Sequence, residues 1–137
     1  METVLEGGCH CGQIRYRVTG APRRAGLCHC RDCRGTSGAP VVGWAVFGKA
    51  QLAHDGALAT YESSEHGRRQ FCPRCGTGLF YLNDVIFEGL VDVQIATLDD
   101  PDAIRPIEQI QVAERIGWMA DAHALPSFQR WPDQAMP

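Results

Sequence analysis

The seven cysteines of this chain fall into three short clusters whose spacing is typical of metal ligands. The clusters are Cys9-His10-Cys11, Cys28-His29-Cys30-Arg31-Asp32-Cys33 and Cys72-Pro73-Arg74-Cys75-Gly76. The third indicates a zinc knuckle, because two intervening residues let both sulfurs reach one ion, Pro73 stiffens the entry and Gly76 permits the turn that follows. One knuckle supplies two of the four ligands of tetrahedral zinc, so the remaining two must come from another cluster.

The C-x-C spacing places two sulfurs on the same side of an extended chain, since residues i and i+2 share a face. Cys9 and Cys11 can therefore face one ion while His10 points away, and the middle cluster repeats this geometry with Cys33 within reach after one turn. The spacing favours a closed four-thiolate site, which would be structural, and a three-thiolate site with one open position, where chemistry can occur. The first would use Cys9, Cys11, Cys72 and Cys75, and the second Cys28, Cys30 and Cys33.

Other arrangements of the cysteines remain open at the level of sequence. A single zinc could combine Cys72 and Cys75 with the middle cluster, or all seven cysteines could be core residues. His10 and His29 could act as ligands, although each sits between two cysteines and should point the other way. The three other histidines have no ligand-like spacing and are expected at the surface: His54, His66 and His123.

The elements that must position these clusters are predicted to be mostly β. Alternating or β-branched runs predict strands at residues 13–18, 41–47, 51–54, 58–62, 79–82, 86–98 and 107–112. A turn at Asp55-Gly56 separates two of them. Short helical turns are expected near residues 31–36 and 99–101. The predicted fold class is therefore mostly β, with small β-sheets held together by bound metal.

Length and composition narrow the classes of protein further. At 137 residues, with 45% hydrophobic and 21% charged residues, we expect one packed domain over residues 1–137. The formal charge of −3 argues against a nucleic-acid partner. No apolar run approaches the ~18 residues of a membrane span, and the N-terminus lacks the pattern of a signal peptide. We therefore expect no membrane partner and a cytoplasmic location, whose reducing conditions disfavour disulfides. The sequence assigns no oligomeric state.

The basic residues are compatible with a small anionic ligand, although most of the arginines are expected to solvate the surface. Lys49 is the only lysine beside twelve arginines, and the guanidinium fork suits carboxylates. Arg31 and Arg34 flank the ligands of the predicted open site. They could contact a carboxylate of the substrate or neutralise the anionic cysteine cluster.

These motifs resemble the glutathione-dependent formaldehyde-activating enzyme (GFA) family over nearly the whole chain. The matching segments are Gly7-Gly8-Cys9-His10-Cys11-Gly12, Cys28-His29-Cys30-Arg31-Asp32-Cys33-Arg34 and Phe71-Cys72-Pro73-Arg74-Cys75-Gly76-Thr77, followed by Val91-Asp92-Val93. The resemblance implies an Mss4-like fold and two zinc ions per chain, divided between the cysteines as above. It also implies condensation of formaldehyde with glutathione to S-hydroxymethylglutathione, and the reverse, which is formally carbon–sulfur lyase chemistry.

The leading hypothesis is thus a zinc-dependent carbon–sulfur lyase whose partners are a small thiol such as glutathione and a small aldehyde. The alternatives are the same chemistry on another aldehyde or thiol, and a non-catalytic zinc-binding scaffold module. Gln109 departs from the resemblance, because family members often carry a histidine there, and we expect it to be a strand residue that faces water.

Overall fold

The computed structural model describes residues 2–132. Its ten strands are β1 (Val4–Gly8), β2 (Arg15–Thr19), β3 (Arg24–Cys28), β4 (Val42–Gly48), β5 (Leu52–Asp55), β6 (Ala59–Glu62), β7 (Gly67–Phe71), β8 (Gly78–Asn83), β9 (Leu90–Gln94) and β10 (Gln109–Ile110). One α-helix, α1, spans Arg31–Ser37 between β3 and β4. Single 3₁₀ turns occupy Lys49–Gln51, Ile95–Thr97, Pro101–Ala103, Val112–Glu114, Gly117–Ala120 and Ala122–Ala124. The predicted mostly β fold class is confirmed.

The strands form two sheets, one with three strands in the order β1-β2-β5 and one with seven in the order β10-β3-β4-β9-β8-β7-β6. Neighbouring strands pair antiparallel, apart from the short parallel pair of β10 with β3. No helix within residues 2–132 combines the length and the apolar character needed to cross a membrane.

The main core contains apolar side chains of both sheets. Alternation along each strand sends every second side chain to the same face. Tyr16 and Val18 of β2, Phe47 of β4 and Val93 of β9 all reach this core, and Phe47 and Val93 have no exposed surface. Tyr16 packs edge-to-face on Phe80 of β8 with ring centroids 5.3 Å apart. Burial of these side chains holds the two sheets together.

The opposite face of the seven-stranded sheet carries a second, smaller cluster. Its members are Cys28, Cys33, Val42 and Trp44, with Cys30 and Tyr81 packed against them. Helix α1 begins after Cys30, whose sulfur accepts the backbone N–H of Cys33 as an N-cap. The helix ends at Ser37, and its C-cap residue Gly38 has a left-handed φ of 69°. The large sheet thus presents a structural face and a cysteine-bearing face.

Some predicted strands have different partners or lengths in the structure. The turn at Asp55-Gly56 does not pair β5 with β6, since β5 pairs with β2 and β6 with β7. The strand predicted at 86–98 is shorter, because the Asn83 side chain accepts backbone N–H groups of a turn that precedes it. The sequence did not predict three of the strands, which are β1, β3 and β7. These strands contain glycine or arginine at positions that interrupt the alternation of apolar and polar residues.

Replacing Phe47 with Ala tests the main core. Removal of a fully buried phenylalanine from a central strand is expected to lower the free energy of unfolding by about 3–5 kcal/mol. Urea denaturation under reducing conditions measures the change. Val85→Ala is the control, because Val85 is 65% exposed and its truncation should change the stability by less than about 0.5 kcal/mol. Equal effects of the two substitutions would contradict the assignment of the core.

Candidate functional site

Cys9, Cys11, Cys72 and Cys75 converge although the chain brings them from two distant segments. Their four sulfurs all lie within 4.8 Å of one another. The Sγ atoms of Cys9 and Cys11 are 3.6 Å apart, and those of Cys11 and Cys72 are 3.8 Å apart. Two sulfurs on a tetrahedral zinc with bonds of ~2.3 Å are separated by about 3.8 Å. The four-sulfur group therefore fits the coordination geometry of zinc.

Backbone amides and one threonine fix this four-sulfur group. The Ile14 N–H donates to the Cys9 sulfur at 3.2 Å, and the N–H groups of Arg74 and Cys75 each donate to the Cys72 sulfur at 3.4 Å. The Thr77 hydroxyl accepts the His10 backbone N–H at 3.1 Å and lies 3.2 Å from the Cys75 sulfur. These donors stabilise thiolate rather than thiol, which is the form that binds a metal.

The second sulfur group lies on the cysteine-bearing face of the large sheet. Cys28 ends β3, Cys30 caps α1, Cys33 lies in its first turn, and the three sulfurs are within 4.8 Å of one another. A hydrogen bond from Cys28 lowers the pKa of Cys33 to about 5, whereas the same contact and burial raise the pKa of Cys28 well above its ordinary value. Ionisation of all three thiols therefore requires a cation among them, and three sulfurs leave one position of a tetrahedral ion free.

Neither sulfur group includes a histidine among the described residues. His54, His66 and His123 are exposed, as expected, and His10 is exposed as well. His29 is only 1% exposed, and its Nε2–H donates to Gln109 Oε1 at 2.7 Å. The expectation that Gln109 merely faces water was therefore incomplete, because its side chain anchors the histidine that separates Cys28 from Cys30.

The two arginines predicted beside the open site have different surroundings. Arg31 lines a cleft of about 600 Å³ on the cysteine-bearing face, together with Trp44, Arg69 and Gln94. The Arg34 Nε–H instead donates to the His29 carbonyl at 3.3 Å, and its side chain does not line this cleft. Of the pair, Arg31 is the one that lines the cleft.

Three residues that the sequence did not single out surround the three-sulfur group. A cavity of about 220 Å³ is lined by Cys28, Cys30 and Cys33 and also by Arg69, Tyr81 and Asp92. Strand register brings these three together, since Tyr81 lies opposite Arg69 on one side and Asp92 on the other. Both Nη atoms of Arg69 lie 3.7–3.8 Å from the Cys33 sulfur, and its guanidinium stacks 4.8 Å from the Tyr81 ring centroid. The alternation around Val91 and Val93 could have placed Asp92 on this face, but no local signal marked Arg69.

The fold and the two sulfur groups define the class as a β protein with two cysteine clusters that can each hold a metal ion. The family model described as glutathione-dependent formaldehyde-activating enzyme matches residues 4–114. The chain belongs to this family, and the resemblance seen in the sequence is confirmed.

Individual relatives agree with this membership. A Halomonas elongata protein named "Putative glutathione-dependent formaldehyde-activating enzyme" is 32% identical over 124 residues, which cover 80% of this chain and 74% of the relative. A Schizosaccharomyces pombe protein named an uncharacterized lyase is 27% identical over 111 residues, covering 71% of this chain and 81% of the relative. A crystal structure of a Rhodobacter sphaeroides protein has a TM-score of 0.61 at 22% identity, covering 77% of this chain and 99% of that one, and shows the fold alone.

Metal analysis tests the two sulfur groups separately. Protein purified under reducing conditions is expected to hold two zinc ions per chain, one for each group. Cys75→Ala should lower the content to about one ion and destabilise the fold, whereas Cys30→Ala should lower it to one with little loss of stability. Mass spectrometry of the metals and thermal unfolding measure both effects. A wild-type content of one ion, unchanged in either variant, would contradict the assignment.

Proposed function

We propose that this protein is a zinc-dependent carbon–sulfur lyase that forms or breaks S-hydroxymethylglutathione from glutathione and formaldehyde. The observation that carries the proposal is the three-sulfur group. It lines a cavity beside a larger cleft, and it is separate from the four-sulfur group, whose cysteines come from two distant segments of the chain. Membership of the GFA family supports the same reaction.

The two sulfur groups take different roles in this proposal. Cys9, Cys11, Cys72 and Cys75 hold a structural zinc, because four protein ligands leave no position for a substrate. Cys28, Cys30 and Cys33 would hold a catalytic zinc, which would lower the pKa of a bound thiol and so supply the thiolate that reacts with aldehydes. The Arg69 guanidinium lies against Cys33 and offsets part of the negative charge of the three thiolates.

The cleft has the size and lining for the peptide part of the thiol substrate. Its volume of about 600 Å³ falls within the range of small-molecule sites. Trp44 and Arg69 line both this cleft and the cavity of the three-sulfur group, so a ligand in the cleft lies next to the cysteines. Arg31 lines the same cleft, and we propose that it binds a carboxylate of glutathione.

The Cys30→Ala variant tests the catalytic role of the three-sulfur group. We expect the rate of aldehyde–thiol exchange in this variant to fall to the uncatalysed rate, as measured by NMR with ¹³C-formaldehyde and glutathione. The near-UV circular dichroism spectrum should remain that of the wild type. In cobalt-substituted wild-type protein, glutathione should shift the absorption spectrum, since a new sulfur enters the open position. Full activity of Cys30→Ala would disprove the mechanism. If glutathione leaves the absorption spectrum of the cobalt-substituted wild type unchanged, the result would favour a non-catalytic scaffold.

Arg31 and Arg34 form a matched pair for the thiol-binding part of the proposal. Arg31→Gln is expected to weaken glutathione binding about 10-fold, since a charge-assisted hydrogen bond contributes roughly 1.5–3 kcal/mol. Arg34→Gln should leave affinity within about 3-fold of the wild type, because Arg34 contacts the His29 carbonyl rather than the cleft. Isothermal titration calorimetry with glutathione compares the two. Equal losses in both variants would contradict the position assigned to the thiol.

A further inference from the structure

Asp92 is a partly buried residue whose carboxyl group lines the three-sulfur cavity and has no hydrogen-bond or ion-pair partner within residues 2–132. It lies on β9 and lines the cavity together with the three cysteines. Among the described residues, no hydrogen bond joins its carboxyl group to Cys28, Cys30 or Cys33, and no ion pair within 4.0 Å joins it to Arg69. Because Asp92 lines the cavity and its carboxyl oxygens have no protein partner there, these oxygens are free to contact a ligand in the cavity.

The other polar groups around this cavity are already engaged or unsuited to proton transfer. The guanidinium of Arg69 offers only N–H donors and has no acceptor for a proton. The Tyr81 hydroxyl accepts a hydrogen bond from Asn83 at 3.2 Å. Glu108 is paired with Arg24, which lowers the pKa of its carboxyl group. Asp32 also lines the cavity, but it is exposed to solvent. Asp92 is left as the sheltered acid–base group that points at the reaction space.

We propose that Asp92 exchanges a proton with the hydroxyl group of the thiol–aldehyde adduct, an inference that rests on the function proposed above. In cleavage, the Asp92 carboxylate takes the proton from the adduct hydroxyl group. The electron pair of the O–H bond then forms the carbonyl double bond of the aldehyde. The carbon–sulfur bond breaks, and its pair leaves with the sulfur as thiolate. In formation, thiolate attacks the aldehyde carbon and the carboxylic acid returns its proton to the oxygen. Atoms and charge balance without any oxidant or further reactant.

The electrostatic surroundings suit this exchange. Burial, and secondarily the negative charge at Cys33, raise the pKa of Asp92 to about 7, while Arg69 acts in the opposite direction. A group with a pKa near the working pH both accepts and donates protons efficiently. Because the carboxylate is the accepting form, the cleavage rate should rise with pH through the pKa of Asp92 and then level off.

Asp92→Asn tests the proposal, with Asp84→Asn as the matched control at an exposed carboxyl group paired with Lys49. ¹³C NMR measures the exchange of formaldehyde between free and glutathione-bound forms, against pH. Asp92→Asn is expected to slow exchange about 100-fold and to lose the rise near pH 7, with zinc content and glutathione affinity unchanged. Asp84→Asn should match the wild type. Wild-type exchange in Asp92→Asn would overturn the assignment.

A second measurement uses the wild-type protein, so it does not depend on the folding of the variant. S-(2-hydroxyethyl)glutathione and S-ethylglutathione are unreactive and differ by one hydroxyl group. Above pH 7 the hydroxylated compound should bind about 10-fold more tightly, because ionised Asp92 accepts its O–H. Equal affinities would overturn the contact. If the wild type discriminates between the compounds but exchanges no formaldehyde, the proposed reaction fails while the Asp92 contact stands.

Discussion

Crowded cysteine sulfurs are the constraint on which the rest of this structure depends. Seven sulfurs occupy two groups in which every atom lies within 4.8 Å of the others of its group. Thiolates at that separation repel each other strongly in a partly buried setting, so the groups are stable as thiolates only around cations. The two sheets, the knuckle and the short helix are arranged so that these sulfurs converge.

The seven-stranded sheet separates stability from chemistry by its two faces. One face packs Phe47, Val91 and Val93 into the main core, which explains why the sheet can tolerate charged groups on the other. That other face carries Trp44, Tyr81, Arg69 and Asp92 around the three-sulfur group. These side chains come from regular strands, whose backbone hydrogen bonds hold them more rigidly than a loop would.

The cysteine spacing made much of the site predictable, because spacing is a local property. The knuckle at Cys72 and Cys75, and the pairing of Cys28 with Cys30, follow from the geometry of a turn and of an extended chain. Arg69 and Asp92 could not be found in the same way, since only strand register places them beside Cys33. The contact of Gln109 with His29 was missed for the same reason, as it depends on the parallel pairing of β10 with β3.

The two sulfur groups differ in how much chain each one closes. Cys28 and Cys33 belong to one short segment, whereas Cys11 and Cys72 are 61 positions apart. Closing a long loop removes more conformational freedom from the unfolded chain than closing a short one. A cation at the local group can therefore bind the unfolded chain almost as readily as the folded one, which cancels most of its stabilising effect. A cation at the distant group would find all four ligands together only in the folded chain, so the metal dependence of folding stability is expected to reside there.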